Sequence, residues 1–185
     1  MFEPGVHQAL GLQRSRLFEG PVVLAVASPF DPAQGYELLW ELGSQILARG
    51  LGGQNHLGVA REFGWCPVEV TDAGRDDPVL GAIPPCFSIF QWHSDTFSLP
   101  EGAVHLAQSG VARHQAFRFG RAAYGMQFHF EANRAVVRDW SREFPQLIAT
   151  LDPDWAALHE MRAEREGAAA DLDGLSIARA WVALI

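Results

Sequence analysis

Two kinds of hydrophobic spacing share this chain, and their order limits the fold more than any other feature. Short strand-like runs occupy the stretch from residue 65 to residue 129. Trp65 to Thr71 alternates, Phe87 to Trp92 is a second run, and Val104 to Ser109 with Gln115 to Phe119 reads as a strand pair. Tyr124 to His129 reads as a buried strand ending in polar residues. The period then changes. Ala132 to Phe144 carries Val136, Val137, Trp140 and Phe144 at helical steps, and Trp155 to Arg165 and Leu175 to Leu184 read as closing helices. The acidic, alanine-rich segment Glu164 to Asp173 reads as a helix end or surface loop. Strands mixed with helices predict an α/β layer fold, and 185 residues suit a single domain spanning 1–185.

The first part of the chain is less clear. Residues 1–20 are weakly patterned and read as a loose N-terminal arm. Pro21 to Ala27 is apolar and β-branched, as a buried strand of a parallel sheet would be. Asp31 followed by Pro32 is a helix start signal. Two readings of Pro32 to Arg49 stand side by side. One is a single helix with Leu39, Leu42, Ile46 and Arg49 on one face. The other is a strand ending near Trp40, a tight turn at Glu41-Leu42-Gly43, and a helix from Ser44. Gly50, Gly52 and Gly53 end the helix in either case.

Charge and composition exclude several functions. The formal net charge of -8 argues against binding a nucleic-acid backbone, which needs a basic face. No apolar run approaches the ~20 residues of a membrane helix, and the first twenty residues do not resemble a signal peptide. Two cysteines, Cys66 and Cys86, are too few for a disulfide framework, so a cytoplasmic location is expected.

In α/β folds, functional residues gather beyond the carboxyl ends of strands. That rule singles out Trp92-His93-Ser94-Asp95 and His129-Phe130-Glu131. A histidine held by a carboxylate is the base-and-orienter half of a nucleophilic triad, although a polar strand end making surface hydrogen bonds has the same spacing. The segment around His93 and Asp95 suits a pocket for a small polar ligand, or a turn capped by Ser94 or Asp95. His93, Asp95, His129 and Glu131 would also make a zinc or iron set, but no short-spaced histidine pair supports one. No metal and no cofactor are expected.

These motifs together resemble a family. Gln127-Phe128-His129-Phe130-Glu131 is similar to the Gln-Phe-His-Pro-Glu segment of class I glutamine amidotransferases. Trp92-His93-Ser94-Asp95-Thr96-Phe97 resembles the Trp-His-Gly-Asp-Thr-Phe of a subgroup like the glutaminase half of GMP synthetase. Gly64-Trp65-Cys66-Pro67-Val68, Leu99 to Ala103, Leu106 to Ser109 and Gln115 to Arg118 continue the likeness in register. Leu42 to Arg49 looks like the helix after the nucleophile elbow, so the resemblance runs from residue 41 to the end of the chain.

The resemblance implies a flavodoxin-like three-layer domain with a mostly parallel central sheet. It implies a cysteine, histidine and glutamate triad that releases ammonia from glutamine through a γ-glutamyl thioester. His129 would be the base and Glu131 its orienter. Gln45, Gly43, His93, Ser94 and Asp95 would surround the substrate amino acid. Two departures stand out. The elbow Gly-x-Cys-x-Gly is matched by Leu39-Trp40-Glu41-Leu42-Gly43, which puts Glu41 at the nucleophile position. The upstream Gly-Gly-Pro oxyanion loop has no counterpart. Pro29 to Gly35 looks instead like the loop after the family's first strand, in which case about one βαβ unit is missing; in the other alignment Pro21 to Ala27 precedes the elbow.

The expectation is therefore an amidotransferase-like protein without glutaminase activity, holding glutamine or a similar amino-acid ligand. One alternative is an active glutamine amidotransferase or related amide hydrolase with a rearranged site, where Ser28 and Ser94 are the hydroxyl candidates. The other is a non-catalytic protein with a binding or structural role. Either fits a synthetase partner or a homodimer. Nucleic acid and membrane do not fit.

Overall fold

The computed structural model of the protein describes residues 43–184. The strand expected over Pro21 to Ala27, Ser28, the helix start at Asp31-Pro32 and the nucleophile position Glu41 lie outside the described residues.

Helix α1 (Gly43–Gly50) packs against β7 (Ala123–Met126) and β4 (Thr96–Phe97), burying Ser44, Gln45 and Ala48. β1 (Asn55–His56) pairs with β4. The main sheet holds β2 (Glu62–Val70), β3 (Cys86–His93), β5 (Val104–Gln108), β6 (Ala116–Phe119) and β7, in the order β3-β2-β5-β6-β7. Short helix α2 (Asp72–Arg75) links β2 towards β3 and starts at Thr71, whose side chain accepts from the Gly74 N–H. Helices α3 (Arg134–Glu143), α4 (Pro145–Leu151), α5 (Trp155–Arg162) and α6 (Ala168–Val182) follow, with a π-helical turn, Ala163–Gly167, between the last two.

The strand runs read between residues 65 and 129 fall on strands, the last of them ending at Met126 rather than His129. The expected parallel sheet does not appear: every strand pairing among the described residues is antiparallel. The reason is local. Only residues 120–122 join β6 to β7 and residues 109–115 join β5 to β6, and such short connections reverse the chain, whereas a parallel crossover needs a dozen residues or more. The sheet also curls. The backbone beyond β7 returns to β3 at the other end of the strand order, where the His129 N–H donates to the Phe90 carbonyl at 2.8 Å. His129 and Glu131 thus follow an antiparallel strand rather than a central parallel one.

Glu164 to Asp173 is helical, not loop. The π-turn brings Gly167 against the Arg134 side chain and the Trp65 ring, where a Cβ would stand 2.6 and 3.3 Å from them. The alanines beyond it favour helix. Helix α4 escaped the periodicity reading because it is only seven residues long; Pro145 at its start was the available signal.

Aromatic side chains fill the main core, including Trp65, Phe90, Phe128, Trp140 and Trp155, with Ile177 of α6 fully buried among them. Trp65 and Trp155 stack at 5.7 Å. Gly64, at φ +90°, leaves room for that stack, since a Cβ there would lie 3.0 Å from the Trp155 ring. A smaller cluster of Ala48, Leu51, Phe97 and Phe117 sits under α1.

The loop after α2 is tied to the sheet through one buried carboxylate. Asp77 accepts from the Val79 N–H (2.9 Å), Arg118 Nε (2.9 Å) and the Tyr124 hydroxyl (3.1 Å). Burial, and then the Asp77 charge and hydrogen bond, push the Tyr124 hydroxyl pKa up.

Candidate functional site

The chain leaves β7 at Met126 and runs irregularly through residues 127–133 before α3. Asn133 caps α3 by accepting from the Ala135 and Val136 N–H groups, both at 3.0 Å. His129 and Glu131 lie in this segment. His129 Nδ1 meets Glu131 Oε1 at 2.7 Å, and the imidazole, nearly buried, rests edge-on against Trp140 at 5.4 Å. A carboxylate on Nδ1 fixes the ring proton there and makes Nε2 the basic nitrogen.

The Glu131 carboxyl titrates below its ordinary value. Burial works in the opposite direction and is the largest single influence. The positive charge of His129, its hydrogen bond and Glu131's own backbone N–H together outweigh it. The side chain is still 54% exposed, so solvent screens the pair and its contribution to stability is small. A depressed carboxylate contributes stability above the unfolded glutamate pKa, and that contribution disappears as pH falls through the folded value. Carbon-detected NMR titration of Glu131 should therefore give a midpoint below that of a free glutamate. His129→Ala should move the midpoint upward, because burial is then opposed only by Glu131's own backbone N–H. A midpoint insensitive to His129 would mean that the pair does not form in solution.

Gln127 ties this segment to the turn at His93. Its Nε2 lies 2.6 Å from His93 Nδ1 and donates to the Asp95 carbonyl, two acceptors that are themselves 3.0 Å apart; its Oε1 accepts from the Thr96 hydroxyl at 3.3 Å. An amide N–H aimed at Nδ1 makes that atom the acceptor and puts the His93 proton on Nε2. Behind it stands Glu62, buried at the start of β2. Glu62 Oε2 accepts from Gln115 Nε2 at 2.6 Å and from the Ser109 hydroxyl at 2.8 Å. His93 Nε2 comes within 3.2 Å of the same oxygen, without the alignment of a hydrogen bond. Gln91 Nε2 donates to Gln115 Oε1 at 3.1 Å and extends the network.

The structure thus brings together most of the residues singled out from sequence. His129 and Glu131 form a pair, and the His93 to Asp95 turn is joined to them through Gln127. The metal set is not assembled. The Asp95 carboxylate accepts from the Gly58 N–H at 2.7 Å, His93 faces Glu62 and Gln127, and no cluster of three or more metal-binding side chains occurs among the described residues. The Ser94 carbonyl accepts from the Ala60 N–H at 3.0 Å, so two of the carbonyls expected near a ligand hold the turn itself. Gly43 opens α1. Gln45, on the same helix, is fully buried, and neither its amide oxygen nor its nitrogen has a hydrogen-bond partner among the described residues.

Sequence reasoning missed Glu62, Ser109 and Gln115 as a group. The signal was present in the strand period. Glu62 is in phase with Gly64, Val68 and Val70 on the buried face of β2, where a carboxylate requires donors. Cys66 is no nucleophile. Burial, and then the charge of Glu62, push its thiol up to about 12, so it stays protonated.

Comparison with known proteins gives one direction. A glutamine amidotransferase-like protein of Salmonella typhimurium is 31% identical over 108 residues, 58% of this chain and 45% of that protein. A glutamine-hydrolysing GMP synthase subunit of Methanosarcina acetivorans is 33% identical over 100 residues, 53% of this chain and 51% of that protein. The matched region spans about half the length of these curated relatives. A glutamine amidotransferase structure from Thermotoga maritima superposes with a TM-score of 0.63 at 26% identity, covering 83% of this chain and 75% of that one. A second, from Methylobacillus flagellatus, gives a TM-score of 0.61 at 24% identity, a likeness of fold. No family model matches the chain. Relatives and structural neighbours alike are glutamine amidotransferase-like. Among the described residues no helix is long and apolar enough to cross a membrane.

Proposed function

We propose that this protein is a class I amidotransferase-type domain that binds glutamine or a similar amino acid beside His129 and Glu131 and does not hydrolyse it. The observation that carries the reading is the 2.7 Å contact between His129 Nδ1 and Glu131 Oε1, in a segment that Gln127 fastens to the His93 turn. A base with a fixed tautomer, held by a carboxylate, is what activation of a nucleophile requires. The nucleophile is missing. Glu41 occupies its position in the sequence, and a carboxylate attacks an amide poorly. Cys66, fully protonated, and Cys86, at the far end of β3 from His93, are not substitutes. The unpaired amide of buried Gln45 is suited to an amino-acid ligand, because a buried amide without partners is unfavourable until something bonds to it. A synthetase partner for this domain follows from the GMP synthase relatives and is part of the proposal.

Calorimetry with glutamine and ammonia release by Glu41→Cys test the two halves. Glutamine should bind to the parent chain, and Gln45→Leu should abolish that binding. Glu41→Cys should release ammonia no faster than Glu41→Ala. The sequence has no match to the loop that supplies oxyanion donors, and loss of one such donor slows catalysis by ~100- to 1000-fold. Turnover by Glu41→Cys that disappears on adding His129→Ala would identify an intact scaffold with one inactivating change. Absence of glutamine binding would overturn the ligand.

A further inference from the structure

The outward face of the last helical run is apolar where solvent should favour charge. Met161 is 50% exposed, Leu172 67%, Leu175 45% and Val182 63%. Their buried counterparts, Ala163, Gly167, Ala170, Gly174 and Ile177, face the core, so the run is one-sided and its outer side carries no packing partner among the described residues. Two opposite charges, Glu164 and Arg179, are exposed on the same outer side. Neither has an ion-pair partner among the described residues.

We propose that this face joins two copies of the chain, α6 against α6, antiparallel about a two-fold axis passing beside Leu172. The argument is the self-complementary order of the residues. Two-fold association puts the same patch on both partners, so each residue must meet an acceptable mate on the other copy. In the antiparallel register centred beside Leu172, Met161 meets Val182, Glu164 meets Arg179 and Ala168 meets Leu175, while the two Leu172 side chains meet at the axis. Every apolar residue finds an apolar one, a small side chain faces a large one, and both unpaired charges are matched twice. Parallel pairing would instead set Arg179 against Arg179 and Glu164 against Glu164. Arg165, also exposed, is already held by Glu166.

The run from Met161 to Val182 is about 30 Å long at helical rise. One helix pair of that length falls near or below the ~1,200 Å² of a standard interface, so the dimer is weak and depends on concentration. The inner side of the same helix supports the candidate site. Asp171 accepts from the Arg134 backbone N–H (3.0 Å) and Nε (2.7 Å), and Gly174 lies against the Phe130 carbonyl. Self-association therefore buttresses the segment that carries His129 and Glu131. The interface needs no ligand and stands apart from the glutamine reading.

Sedimentation equilibrium of the full chain, from low-micromolar to several-hundred-micromolar concentration, tests it. The parent should show a reversible monomer–dimer equilibrium. Leu172→Lys, which sets two ammonium groups together at the axis, should be monomeric throughout. Glu164→Arg and Arg179→Glu should each weaken the dimer roughly tenfold, because each replaces two attractions by two repulsions. The double exchange should return it to within about threefold of the parent. At low-micromolar concentration, below the dimer range, circular dichroism and thermal melting should be unchanged in all four, since the positions are exposed. A parent monomeric at every concentration, a Leu172→Lys variant that dimerises as the parent does, or a double exchange no better than the single ones would each overturn the proposal.

Discussion

Glu62→Ala should destabilise the protein by about 2–4 kcal/mol, the loss expected from stranding a buried amide donor and opening a cavity. Three groups converge on Glu62 Oε2: Gln115 Nε2, the Ser109 hydroxyl and His93 Nε2. Alanine would take away the nearest acceptor of the buried Gln115 amide, leave the Ser109 hydroxyl only the Ala112 carbonyl at 3.4 Å, and add a cavity at the first residue of β2. Glu62→Gln is the informative companion. Its amide oxygen can take the place of Oε2 and keep the donors satisfied, so it should lose only about 1–2 kcal/mol. Urea denaturation of the three proteins measures the difference. An alanine variant within about 1 kcal/mol of the parent would mean that water replaces the carboxylate and that the cluster does not hold the His93 turn.

Gly174→Ala has two opposing effects, and their sizes decide the outcome. Alanine in a helix interior gains about 1 kcal/mol over glycine from propensity. At this position the new Cβ would stand 2.3 Å from the Phe130 carbonyl oxygen, which is backbone and cannot rotate away. Relief requires α6 to back off, or the Phe130 peptide to shift. Overpacking of this kind costs about 1–3 kcal/mol, and a contact this short lies at the upper end. The net expectation is a loss of roughly 1–2 kcal/mol, with changed chemical shifts at His129 and Glu131, the residues on either side of Phe130. Stabilisation by Gly174→Ala would mean that the helix is not seated on that carbonyl.

How far the sequence could be read depended on whether a local signal survived in the fold. The run at Trp65 was legible because alternation reflects burial of one face, as β2 largely shows, whereas the runs at Phe87, Val104, Gln115 and Tyr124 were legible as short apolar stretches, and β5 and β6 do not alternate in burial. Their direction was not legible. A continuous apolar run fits a parallel sheet, but direction is set by connections such as residues 120–122, which carry no hydrophobic signal. His129 and Glu131 were readable because two residues of spacing place them within reach of each other. The Glu62 cluster was not, since its members come from β2, from β3 and from the turn between β5 and β6, and only the pairing of β2 with both β3 and β5 brings them together. Residues 164 to 173 were left between helix end and surface loop because their charge suits either, whereas the π-turn places Gly167 and Ala170 inside a continuous helical run.

Asp77 determines how the region around α2 opens. The residues following it would ordinarily be the first to fray, since loops carry few cooperative contacts. Here one carboxylate accepts from loop amides and from two side chains on β6 and β7 at once. To release the loop, the buried charge must lose its partners on the sheet, so loop and sheet edge exchange their amide hydrogens as one cooperative unit. The Val79 amide should therefore be as slow to exchange as the strand amides of β6, and the segment acts as a rivet in the scaffold, not as a hinge.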